Sequence, residues 1–259
     1  MSSAGGHLVK FDYESFRWGR EHLSDSEPAW KDLLEVFESI DRYGVIAEKR
    51  NNFQKWREGK IKKPAVGGQQ IMNSIIETEL RKKIGWEEQV SVLEARLLEN
   101  LEGNAKERKE AYWTMDFKKG LIGVEVSFNN AGALSQNLLR LSVMSESENK
   151  KKSEMIRVGI LITAAENLKQ WSTMDSTVLT FESTKRVFPA MNFNIPTPIL
   201  LIGLESKDTD GSNWDKSPLF PTKKELKEKF GIDELSPYAK LSATEKSYWD
   251  DIIDSTDLD

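Results

Sequence analysis

Apolar positions along this chain fall into two kinds of run. Short, nearly unbroken runs occur at 121–128 (LIGVEVSF), 156–163 (IRVGILIT) and 199–203 (ILLIG). Their length and their Val and Ile content predict buried strands. Elsewhere the apolar residues recur at helical spacing. Trp30, Leu33, Leu34, Phe37, Ile40 and Val45 predict one helix over 28–48, with Asp25 or Ser26 as its N-cap. Ile71, Ile75, Ile76 and Leu80 predict a helix over 69–83 that Gly85 ends. Leu134, Leu138 and Leu141 predict another over 131–144, capped by Asn129 or Asn130. A helical turn is expected at 167–171 and helices at 223–230 and 242–253, while 89–98 reads as a strand or an irregular segment. Residues 1–9, rich in Ser and Gly, read as a flexible lead-in. Buried strands separated by helices define an α/β core.

Composition narrows the chemistry. A chain of 259 residues is long enough to bury a full core as one domain. The absence of cysteine excludes disulfides, thiolate nucleophiles and zinc–thiolate sites. His7 and His22, both near the start, are the only histidines, which disfavours a Ser–His or His–metal centre. No apolar run reaches eighteen residues and the first residues lack a secretory pattern, so a cytoplasmic protein with no membrane span is expected. The net charge of −5 hides an uneven distribution. Residues 50–63 carry Arg50, Lys55, Arg57, Lys60, Lys62 and Lys63 against Glu58, with Phe53 and Trp56 interleaved. That segment fits phosphate contact, Lys60, Lys62 and Lys63 above all, and equally a solvated loop.

The stretch 116–130, DFKKGLIGVEVSFNN, carries the most specific signal. Asp116 and Glu125 flank a turn at Lys119-Gly120, and Glu125 lies between Val124 and Val126. An ionised carboxylate among apolar residues is costly unless a positive charge compensates it. A divalent cation shared with Asp116 would do so, and Mg²⁺ suits one or two carboxylates plus water and phosphate oxygen. The same spacing fits a surface hairpin whose Glu faces water. Glu77 and Glu79 lie off the apolar face of their helix, as exposed acids or as groups leaning over this site.

The pattern Asp116-Phe117-x-Lys119, then Val124-Glu125-Val126-x-Phe128-x-Asn130, resembles the active-site hairpin of BglII-type restriction endonucleases, in the PD-(D/E)xK nuclease superfamily. The strands at 157–163 and 197–204, and Val66-Gly67-Gly68 ahead of the preceding helix, extend the resemblance over about 64–206. It implies a central mixed β-sheet flanked by helices within one nuclease domain, 1–259. The core would be about 64–206, with an N-terminal helical segment 10–63 and an acidic C-terminal helical extension 207–259. The implied activity is Mg²⁺-dependent hydrolysis of double-stranded DNA at a short palindrome by a bacterial or archaeal type II enzyme. Asp116 and Glu125 are the implied metal ligands, and Asn130 an implied base or site contact. A homodimer is implied, with 134–144 or 167–187 as its seam, alongside a cognate methyltransferase of the same restriction–modification system.

One position departs from that pattern. Two residues after the Glu the superfamily usually carries Lys, or Gln or Glu in some restriction enzymes; here it is Ser127. A serine hydroxyl can bind water but is a poor base at neutral pH. Activation then passes to a metal-bound water, to the substrate phosphate, or to Lys118, Lys119 or Glu77. The departure also leaves open a DNA-binding protein that has lost cleavage, and a repair-type nuclease of the superfamily is a third reading. Candidate DNA contacts after the hairpin are Asn129, Asn130, Ser135, Gln136, Asn137 and Arg140. Others are Ser183, Thr184, Lys185, Arg186, Asn192 and Asn194; all fit helix capping or solvation as well.

Overall fold

The computed structural model describes residues 9–24, 27–65, 67–92, 113–128, 130–146, 155–191, 195–207, 223–231 and 235–254. Its centre is a six-stranded mixed sheet. The strands are β1 (Val9–Phe16), β2 (Glu87–Ser91), β3 (Thr114–Lys119), β4 (Ile122–Val126), β5 (Val158–Ala164) and β6 (Ile199–Ser206), in spatial order β1-β6-β5-β4-β3-β2. The three apolar runs form the parallel centre β4-β5-β6, buried on both faces as parallel strands require. Antiparallel strands close both edges, β1 beside β6 and the β2–β3 pair beside β4.

Alternate residues of the central strands feed two cores. Val124, Ile160, Ile162, Leu200 and Ile202 pack under α1 (Pro28–Ser39), the start of α2 (Arg42–Arg57), α3 (Gly68–Arg81) and α5 (Glu166–Trp171). Leu161, Ile199 and Leu201 pack under α4 (Ala133–Glu146) and α6 (Phe181–Met191). A third cluster joins the later half of α2 to α7 (Lys223–Phe230) and α8 (Ala243–Asp254), where Phe53 stacks on Trp249 at 4.9 Å.

Three sequence expectations change. The helix expected over 28–48 is two helices, because Asp41 is extended and its carboxylate accepts the Gly44 N–H, capping α2 as α1 ends. Asp25 and Ser26, the expected caps of α1, lie outside the described residues; Glu27 is its N-cap and makes no side-chain capping bond. The segment 10–63 is not wholly helical, since Val9–Phe16 is an edge strand of the sheet itself. Phe11 packs its ring 6.1 Å from Trp30 and 5.4 Å from Phe37. The turn after β1 runs so close to β6 that a Cβ on Gly19 would meet the Ile199 carbonyl at 2.2 Å.

Candidate active site

The β3–β4 hairpin builds the site. Its turn needs Gly120, whose φ of +57° L side chains rarely adopt. The ladder pairs Lys119 with Ile122, Lys118 with Gly123 and Phe117 with Val124. The next step of that register sets Asp116 opposite Glu125, and there backbone pairing stops. The Asp116 carboxylate takes over, its Oδ2 accepting the Val126 N–H at 2.8 Å. Past the strand, Ser127 donates its N–H to the Ile162 carbonyl at 2.7 Å, tying the hairpin end to β5.

Glu125 is fully buried. Its two oxygens accept a two-pronged hydrogen bond from Arg140 on α4, Nε to Oε1 at 2.7 Å and Nη2 to Oε2 at 2.8 Å. Asn137, one turn earlier and also buried, accepts from the same Nη2 at 2.6 Å. Burial pushes the Glu125 carboxyl up to about 8 against the pull of Arg140, and Asp116 beside it pushes the same way. Burial also raises Asp116, against the pull of the Val126 N–H, of Arg140 and of the Gln89 side chain. Two carboxylates that both resist ionisation mark a place where positive charge is needed.

A cleft of about 220 Å³ opens over this pair, lined by Asn73 and Glu77 of α3, Gln89 of β2, Asp116 of β3, and Asn137 and Arg140 of α4. Its walls fit a hard cation. Among the described residues no three His, Cys, Asp or Glu side chains converge, but Asn73, whose Oδ1 is buried without a hydrogen-bond partner, lines the same space. With Asp116, and with Glu125 behind Arg140, this offers an all-oxygen donor set, which suits Mg²⁺ rather than zinc.

The other expected residues distribute unevenly. Glu77 lies in the cleft, paired with Arg81, whereas Glu79 pairs with Lys82 at 2.6 Å away from it. Ser127 is buried and is not among the residues lining the cleft. Lys119 turns to Asp32 at 2.6 Å, and Lys118 is buried with Glu87 3.6 Å away. Asn130 sits in a bridge to Val178 ahead of α4. Ser135 and Gln136 are exposed on α4, and Lys185 and Arg186 on α6, where Lys185 pairs with Glu14 at 2.6 Å. Lys60, Lys62 and Lys63 are exposed after α2, Lys60 beside Glu58 at 2.6 Å. Thr184 is buried and donates to the Thr180 carbonyl, so it cannot reach a base edge. Asn129, Asn192 and Asn194 lie outside the described residues.

Sequence reading missed Asn73 and Gln89. Asn73 stands one helical turn before Glu77 on α3, a spacing that could have found it. Gln89 carried no signal: it lies opposite Asp116 on β2 with φ +49°, interrupting the ladder that pairs Glu88 with Phe117 and Val90 with Met115.

A family model for restriction endonuclease BglII/BglIII matches residues 11–204, from within β1 to within β6. A crystal structure of restriction endonuclease BglII complexed with a DNA 16-mer is similar at 20% identity and a TM-score of 0.48, over 75% of this chain and 77% of that one. The crystal structure of free BglII is similar at 20% identity and a TM-score of 0.40, over 75% and 78%. No curated protein sequence matches.

Proposed function

The chain belongs to the restriction endonuclease BglII/BglIII family, and from that premise we propose that it is a Mg²⁺-dependent type II enzyme cutting double-stranded DNA at a short palindrome. The observation that carries this reading is the contact of two charge-stressed carboxylates, half-buried Asp116 in the wall of an oxygen-lined cleft and fully buried Glu125 beside it under Arg140. Those two side chains would hold the metal, and Asn73, lining the same cleft, would add a neutral oxygen. When bound, Mg²⁺ supplies a Lewis acid that neutralises the scissile phosphate and lowers the pKa of an attacking water.

The remaining steps belong to the protein. Glu77, in the cleft, accepts the proton of the attacking water, a task Lys118 and Lys119 are turned away from. Ser127 holds the hairpin end in place through its backbone bond to Ile162 and gives at most a hydroxyl to water. Ser135, Gln136, Lys185 and Arg186 are exposed and suited to DNA contact, with Lys60, Lys62 and Lys63 on its phosphates. We read 1–259 as one nuclease domain acting as a homodimer, because two-fold DNA calls for a two-fold protein. The exposed apolar residues Leu139 on α4 and Val187 on α6 support the seams at 134–144 and 167–187. No described helix is long and apolar enough to cross a membrane. We place the enzyme in the cytoplasm beside a methyltransferase that protects host DNA.

Incubation with plasmid DNA and Mg²⁺ tests the reading. Discrete fragments, abolished by a chelator, are expected. A smear or nicks would mean a repair-type nuclease. Binding without cleavage would mean an inactive DNA-binding protein, the alternative that Ser127 favours.

A further inference from the structure

Glu125 is fully buried and does not line the cleft; Arg140 does, and its guanidinium covers both oxygens of Glu125. A divalent ion entering the cleft reaches Asp116 directly, but meets Arg140 before Glu125. A guanidinium and a divalent ion held against one carboxylate in a dry site would repel strongly. Arg140 is well placed to leave: its side chain reaches the cleft with 14% exposure, whereas that of Glu125 has none.

We propose that Arg140 is a built-in counter-ion for the Asp116–Glu125 pair, exchanged when metal binds: the ion takes Glu125, and the freed guanidinium swings into the cleft. This rests on the metal reading of Asp116 and Glu125. Asn137, which accepts from the same guanidinium, is the hinge-side anchor that keeps Arg140 within reach of both positions. In the cleft the freed fork faces the place of the DNA phosphate, which guanidinium binds well. Metal and DNA binding are thereby coupled, each favouring the other because both favour the released Arg140. Arg140 thus acts as a positioning residue, distinct from the metal ligands.

The test uses Ca²⁺ without DNA, so no turnover is read. Calorimetric titration of the parent and of Arg140→Gln should show the variant binding Ca²⁺ roughly tenfold or more tightly, since the competing cation is gone. Metal-free Arg140→Gln should melt lower than the parent and regain the loss in Ca²⁺. Should that variant not fold, the Arg140 Nε–H resonance of the parent, assigned by its loss in Arg140→Lys, gives the answer alone: it should move on adding Ca²⁺. Equal or weaker Ca²⁺ binding by a folded Arg140→Gln, or an unmoved resonance in the Ca²⁺-saturated parent, would overturn the exchange and leave Arg140 a fixed part of the site. Absence of any Ca²⁺ binding that Glu125→Gln removes would instead overturn the metal reading, and this inference with it.

Discussion

Asp116 has two separable tasks, and two substitutions divide them. Its Oδ2 satisfies the Val126 N–H, and its charge is set against Glu125 in a buried site. Asp116→Asn keeps an acceptor oxygen for Val126 and removes the charge. Asp116→Ala removes both and leaves a part-buried N–H without its partner, at a cost of about 1–3 kcal/mol. Relief of the burial cost of that charge and of its push on Glu125, less the lost pull of Arg140, is worth roughly 1–2 kcal/mol in Asp116→Asn once the partial exposure of Asp116 is discounted. At about 2–4 °C per kcal/mol for a chain of this size, metal-free Asp116→Asn should melt at or above the parent. Asp116→Ala should melt several degrees below Asp116→Asn. Both should cleave plasmid only at background and lose the rise in melting temperature that Ca²⁺ gives the parent. The assay is differential scanning calorimetry with and without Ca²⁺, beside a cleavage time course. A residue selected for stability would behave otherwise. If Asp116→Asn proves as unstable as Asp116→Ala, or keeps the parent's response to Ca²⁺, the reasoning fails.

Further expectations follow from other parts of the molecule. Neutralising Lys60, Lys62 and Lys63 should flatten the slope of log affinity against log salt by about one per lost phosphate contact, and an unchanged slope would return the segment to mere solvation. Ser127→Ala should slow cleavage modestly in single-turnover assays, and a rate equal to the parent's would remove any chemical role for the hydroxyl. Lys49, buried against the Ser172 carbonyl and the Thr173 hydroxyl, is held down at about 8 by burial. Its charged form therefore costs about 3 kcal/mol below pH 8, a cost that fades as pH rises towards 10.5. Lys49→Met should accordingly raise the melting temperature at pH 7 and lose that advantage near pH 10; equal effects at both would refute it. Sedimentation should give a dimer on a cognate duplex, and one protomer per duplex at every concentration would overturn the homodimer.

What the sequence determined by itself was whatever depends on local pattern. The three apolar runs could only be buried strands, because their β-branched residues are apolar on both faces. The hairpin with Asp116 and Glu125 was legible because a charge inside such a run needs a reason. Period-two alternation in VKFDYESF is the signal of β1, but it is lost in the helical reading of 10–63, and its place at the sheet's far edge has no local signal at all, since its partner β6 lies nearly two hundred residues on. Ile40 continued the helical spacing of α1, and the competing signal at Asp41, a side chain able to cap Gly44, was outvoted by it. Tertiary structure decided the rest. Arg140 lies fifteen residues from Glu125 and read as a DNA contact, until α4 packed its guanidinium onto that carboxylate. Asn73 and Gln89 come from separate elements, and only the packing of α3 and β2 around β3 brings them to Asp116. Spacing along a chain records what one helix or strand must bury; which charges meet across elements is set by how those elements pack.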